Sequence, residues 1–323
     1  EEQLSEEINE NFKKYSDYLK DKAILLPLTA GYDSRLLACL LKEANHKNVI
    51  CATWGRINNS EVETAKRVAN NLGFEHVFVE YNSELISGCT KENEFLSYMD
   101  FSGHVSSMPF LQDYFAVKYL MENKIISKET VVLPGHSGDF FAGSHLDFEM
   151  ENSEKKELLS RIIEKYGSTL SIGSKEKGDI INDIDSSFFN NEIKDGWRNF
   201  EKWDFVDRQG KFISNSNQIY SFFGIQFLMP LFDNAFISFF EELPFHQKIN
   251  TRLYNTTLEN YYFKPNCVDF DLKSKLSKKQ KFAGMKKGVL KIAPSILKKM
   301  YYPLMDGIFY KEISEELVAT STE

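Results

Sequence analysis

No stretch of this chain approaches the ~20 consecutive apolar residues of a membrane span. No secretory leader is visible at the start, although the chain opens at Glu1 and not at a methionine, which leaves room for a segment removed upstream. Cysteine is scarce. Cys39, Cys51, Cys89 and Cys267 include no CxxC pair, which argues against a zinc ribbon or a dithiol redox motif. Cys39 and Cys51 lie in apolar runs, as buried reduced thiols do, so a cytoplasmic location is expected. Positive charge is not in excess either. The net charge of −8 argues against a general nucleic-acid binder. Internal repeats and flexible linkers are also missing, so the two halves are expected to pack directly on each other.

What is present is ample apolar material. The 323 residues are 42% hydrophobic and 27% charged, enough for one large domain or two ordinary ones. Four β-rich apolar runs stand out: AILLPL (23–28), VICATW (49–54), HVFVEY (76–81) and VVLPG (131–135). Continuous apolar runs suit strands buried on both faces of a parallel sheet. Helical patterns separate them at 34–44, 59–73 and 106–123, the second opened by a Ser60/Glu63 capping box and closed by Gly73. The alternation predicts an α/β fold with a doubly wound parallel sheet. Beyond about residue 150 helical patterns dominate (153–167, 233–244, 252–263), interrupted by the extended apolar GIQFLMPLFD at 224–233. The expected organisation is a helix over 1–20, an α/β core over 21–150 and a mainly helical region over 151–323. Charge is uneven. The first ten residues hold five acids, and 271–300 hold ten lysines and one acid. Solvated faces account for both.

The first strand runs into the turn LTAGYDSR (28–35) and then an amphipathic helix. Such a turn points backbone N–H groups at the crevice beyond the strand ends, and the helix N-terminus favours an anion. Ala30 and Gly31 are small enough for phosphate oxygens to approach, and Thr29 and Ser34 offer hydroxyls. A P-loop places a lysine after its glycines. This loop holds Asp33 instead, which repels a bare phosphate and so suggests a Mg²⁺ between them. On these residues alone, an ordinary turn with Asp33 or Ser34 capping the helix reads equally well.

TAGYDSR resembles the pyrophosphate-binding loop of the N-type ATP pyrophosphatases, the PP-loop superfamily, and most of all the synthetase domain of glutamine-dependent asparagine synthetases and β-lactam synthetases. Three further stretches carry the same resemblance in the same order: 53–81, LPGHSGDFFAG (133–143) and LMPLFDNAFISFFEELP (228–244). The resemblance implies an adenine nucleotide α-hydrolase-like fold and an ATP-dependent ligase. Such an enzyme adenylates a carboxylate, releases pyrophosphate and then AMP, and leaves an amide. It implies ATP and Mg²⁺ as cofactors. The loop from Leu28 through Thr29, Ala30, Gly31, Tyr32, Asp33 and Ser34 would take the phosphates. Asp33 and Asp139 would hold the metal. Leu28, Thr53, Trp54, Pro134 and Gly135 would seat adenine, with Trp54 equally readable as a core or interface residue.

Two positions depart from the pattern. The family's glutamate falls at His136, which can move a proton but supplies no fixed negative charge. A structural loop histidine is the other reading there. The family's lysine near the α-phosphate has no direct match. Arg252 is preferred on spacing over Lys248, with Lys273 or Lys275 as substitutes; an arginine neutralises charge but cannot act as an acid. The implied partners are a small carboxylate, other than aspartate if His136 alters the fit, and an amine donor. The donor would come from an upstream glutaminase domain or in trans. Two further classes compete. One is a non-catalytic ATP-binding module of the same fold, and the other is a PP-loop tRNA-modifying enzyme reading RNA through the lysine run. Residues 284–304 also read as a basic amphipathic element for an anionic membrane surface.

Overall fold

The computed structural model describes residues 1–57, 59–103, 107, 110–166, 173–189 and 196–270. The lysine run with Lys273 and Lys275, the basic element 284–304 and part of the 106–123 helical pattern lie outside them.

Five parallel strands form one sheet in the order β3-β2-β1-β4-β5. They are β1 Ile24–Pro27, β2 Val49–Gly55, β3 Glu75–Glu80, β4 Val131–Val132 and β5 Gln226–Phe227. The register pairs Ile24 with Val49 on one side and with Val131 on the other. β1 is central, and Ile24, Leu25 and Leu26 are fully enclosed, as its unbroken apolar run predicts. β3 is an edge strand, half-buried and acidic at both ends, so it does not share that double burial. The extended stretch at 224–233 supplies β5, so the second half completes the sheet.

One sheet face is covered by α1 (Glu2–Leu19), α2 (Tyr32–Glu43) and α3 (Ser60–Leu72). Leu36, Leu37, Leu40 and Leu41 of α2 and Ala65 and Val68 of α3 form this core with Phe236, Phe240, Tyr254 and Leu258 from the second half. The other face packs under the helices Asn93–Gly103, Tyr114–Glu122 and Gln218–Phe222, through Phe95, Tyr98, Tyr114 and Phe115. A third cluster around Trp197, Phe200 and Leu158 lies mostly in the second half and also takes in Leu146 and Met150. α1 lies within the stretch 1–20 where a helix is expected, and it docks on the second half. There Tyr15 O–H donates to Asp233 Oδ2 at 2.8 Å and Asn11 Nδ2 to the Pro230 carbonyl at 2.8 Å.

Two local expectations change. α3 is capped by Asn59, whose side chain accepts from the Glu61 N–H, so Ser60 is its first helical residue and not its cap. Gly73 closes α3 in the left-handed conformation, as expected. The described helix within 106–123 is only Tyr114–Glu122. Among the cysteines, Cys39, Cys51 and Cys89 are buried thiols, but Cys267 is exposed.

Candidate active site

In an open parallel sheet the ligand crevice lies beyond the carboxyl ends of the strands, where the strand order reverses. Here that point is between β1 and β4. Two segments leave it: 28–31, entering α2, and 133–137, entering the short helix Gly138–Phe141.

The first segment is braced by its neighbours. Leu28 N–H donates to the Ala52 carbonyl at 2.8 Å, and the Leu28 carbonyl accepts from Thr53 Oγ1 at 2.7 Å. The turn then closes on its own hydroxyls. Thr29 N–H donates to Ser34 Oγ at 3.1 Å, and Gly31 N–H donates to Thr29 Oγ1 at 3.0 Å. Thr29 and Gly31 face solvent while Ala30 is buried. The hydroxyls of Thr29 and Ser34 thus shape the loop as well as line it. Tyr32 leans away and donates to Glu259 Oε1 at 2.7 Å.

Gly31 caps α2 without any side-chain cap, so neither Asp33 nor Ser34 plays that part. Asp33 turns into the crevice and is buried. Its Oδ1 accepts from Tyr254 O–H at 3.0 Å and its Oδ2 from Asp139 N–H at 3.2 Å. Burial, and then the charge of Asp139, push the Asp33 carboxyl up to about 8 against those hydrogen bonds. Asp139 itself is exposed. A buried carboxylate therefore faces a solvent-side one across the switch point.

Two glycines allow this approach. A Cβ on Gly135 would stand 2.6 Å from Ser34 N, and one on Gly138 would stand 2.5 Å from Tyr254 Oη and 2.9 Å from Asp33 Oδ1. The second segment lies directly on the first turn of α2. Pro134 is buried and His136 half-buried between them. Burial holds the His136 pKa below its ordinary value while the charge of Asp139 works the other way, which leaves a neutral imidazole at pH 7.

Trp54, at the end of β2, is half-buried, and its Nε1–H donates to Asp113 Oδ1 at 2.9 Å. Asp113 is a buried acid, pushed up to about 7 by burial although the Trp54 bond opposes this. No sequence motif signalled it.

The structure does not bring Arg252 to this place. Arg252 is exposed and lines two surface grooves, one of about 580 Å³ with Glu1 and His246 and one of about 410 Å³ with Phe148 and Asn255. Tyr254, which holds Asp33, sits two residues further along the helix Arg252–Leu258, roughly 200° around its axis. Lys248 is buried, and its ammonium donates to Glu201 Oε1 at 2.5 Å. Tyr254 is the residue that sequence reasoning missed. Its only signal was an apolar-face position in an amphipathic helix, which any core tyrosine shares.

A family model described as asparagine synthase matches residues 19–261, a span that includes both loops, Trp54, Asp113 and Tyr254. No curated protein matches the chain. Among solved structures, the NH3-dependent NAD synthetase from Campylobacter jejuni, in complex with the nitrate ion, is similar at 16% identity. The alignment covers 79% of this chain and 95% of that one, with a TM-score of 0.29.

Proposed function

The chain belongs to the asparagine synthase family, and on that footing we propose that it activates a carboxylate with ATP, releasing pyrophosphate, and passes the acyl-adenylate to an amine. One observation carries the reading: Asp33 and Asp139 meet at the switch point beside a strand-to-helix loop that has no lysine. A loop that hands on a terminal phosphate wants a lysine beside it. A loop that receives a leaving pyrophosphate needs backbone donors and a metal.

The residues present fit a Mg²⁺ ion. Asp33 is buried next to a like charge, an arrangement that a cation relieves. Among the described residues no group of three His, Cys, Asp or Glu side chains forms a self-contained metal cage. Mg²⁺ suits that poverty, since it usually takes one or two carboxylates and completes its shell with water and substrate phosphates. Asp33 and Asp139 would hold it, and its chemistry would be to neutralise charge on the phosphates. The loop from Leu28 to Ser34, at the N-terminus of α2, would meet the pyrophosphate. The ends of β1, β2 and β4, at Leu28, Thr53, Trp54, Pro134 and Gly135, would seat the adenosine. His136, neutral and beside Asp139, would take the proton that the attacking amine must lose. The carboxylate is a small molecule, and the amine comes from a glutaminase domain or from solution.

A module that binds ATP without turning it over is the second reading, favoured by the outward position of Arg252. ATP–pyrophosphate exchange, measured across a panel of carboxylates, separates the two. Exchange that depends on one carboxylate and vanishes in Asp33→Asn supports the ligase. ATP binding with no exchange for any carboxylate supports the silent module.

A further inference from the structure

Ser137 immediately precedes the Gly138–Asp139 pair. Its φ is +74°, in the left-handed region that favours glycine. The residue is buried, so water does not satisfy its hydroxyl. Oγ donates instead to Gln209 Oε1 at 2.8 Å, and Gln209 is only 2% exposed. Gln209 lies 72 residues away, in the segment Phe205–Ile213, which is wound as a π-helix. Such windings concentrate at functional sites. This bond is therefore a buried, single-partner link from the second half to the loop that carries Asp139.

The backbone there is also held by Phe141 N–H donating to the Ser137 carbonyl at 3.1 Å and by Asp139 N–H donating to Asp33 Oδ2 at 3.2 Å, so the bond to Gln209 is the side-chain contact from the second half. Gly138 is pressed against Tyr254 and Asp33, and the Asp139 side chain faces solvent. The direction in which Asp139 leaves the loop depends on the backbone at 137, and the bond to Gln209 holds that backbone in a conformation a serine does not choose unaided.

We infer that the Ser137–Gln209 hydrogen bond is a positioning contact that sets the Asp139 carboxylate beside Asp33, and so sets how strongly ATP binding depends on a divalent cation. It rests on the reading of Asp33 and Asp139 as metal ligands. Neither Ser137 nor Gln209 touches the metal or the substrate; both act through Asp139.

Calorimetric titration with ATP, in excess Mg²⁺ and again in EDTA, tests this on the full chain. In the unaltered protein Mg²⁺ tightens ATP binding. Ser137→Ala and Gln209→Leu each lose about tenfold of that gain, the usual cost of removing a contact that orients a metal ligand. Their affinities in EDTA stay within about twofold of the parent, because the bond acts on the metal site. The double variant loses no more than either single, since one bond serves both. Ser137→Gly suits the +74° backbone without the bond, so it keeps more of the Mg²⁺ gain than Ser137→Ala. A full Mg²⁺ gain in Ser137→Ala and Gln209→Leu would overturn the positioning role alone. So would a loss equal in Mg²⁺ and EDTA, since that marks a general structural effect. An unaltered protein with no Mg²⁺ gain overturns the metal reading and this inference with it.

Discussion

Replacing Gly138 with alanine should damage the site through a contact that can itself be edited. The new Cβ would stand 2.5 Å from Tyr254 Oη, 2.9 Å from Asp33 Oδ1 and 3.0 Å from Asp33 Cγ. Ordinary contact begins near 3.4 Å, so the tyrosine must retreat by almost an ångström or the loop must lift. Tyr254 is fully enclosed between Phe236 and Phe240, and its own helix is packed, so retreat is expensive. Overpacking of this kind costs about 1–3 kcal/mol. If the tyrosine moves, Asp33 also loses its 3.0 Å hydrogen bond, a further ~1 kcal/mol or more for a bond to a buried carboxylate. Gly138→Ala is therefore expected to lose about 2–4 kcal/mol in urea unfolding and to weaken ATP binding in Mg²⁺. Tyr254→Phe removes the closest atom of the clash. In that background Gly138→Ala should cost less by about 1 kcal/mol, a coupling that a double-mutant cycle resolves. Strict additivity, or a Gly138→Ala protein as stable as its parent, would refute the packing described for the two loops.

Asp113 gives a pH prediction. Its carboxyl is raised from 3.8 to about 7 in the folded chain, so the stability it allows is full below pH 4 and is lost as pH rises through 7. At about 1.4 kcal/mol per unit the loss approaches ~4 kcal/mol by pH 8. Asp113→Asn still accepts from Trp54 but carries no charge, so the variant should be the more stable protein at pH 8 and show a flatter melting profile between pH 5 and 8. An unchanged pH slope would remove Asp113 from the account. In the second half, Lys248→Met removes the ammonium from the largely buried Glu201 and leaves it only His145, 3.4 Å away. Breaking such a pair costs about 3–5 kcal/mol, and urea unfolding showing under about 1 kcal/mol would contradict the burial of that pair.

Much of this architecture is written in local pattern. Ile24–Leu26 and Val131–Leu133 read as buried parallel strands because no polar residue interrupts them. Once those strands are neighbours, the carboxylates that follow them, Asp33 and Asp139, must meet. The motif match and the topology thus point to the same pair. What sequence could not supply is long-range side-chain direction. Tyr254 reaches Asp33 across 221 residues, and Trp54 reaches Asp113 across 59. Nothing in either local pattern distinguishes them from other core aromatics. Arg252 shows the converse. Chain spacing places it near the right helix, but it sits on the face turned away from Tyr254, and spacing alone does not report a face. The starts of α3 and α2 differ from expectation because Asn59, one residue before Ser60, accepts the Glu61 N–H, while Gly31 begins α2 through its extended backbone alone.

The central claim is that Asp33 and Asp139 serve a loop built to receive pyrophosphate. The most direct measurement is the identity of the nucleotide product. ATP labelled separately on the α- and γ-phosphates is incubated with Mg²⁺, ammonium and the carboxylate that supports exchange, and the products are separated. The account predicts AMP and pyrophosphate in equal amounts, and neither from Asp33→Asn or Asp139→Asn. Formation of ADP and inorganic phosphate, or full activity in either variant, would contradict it.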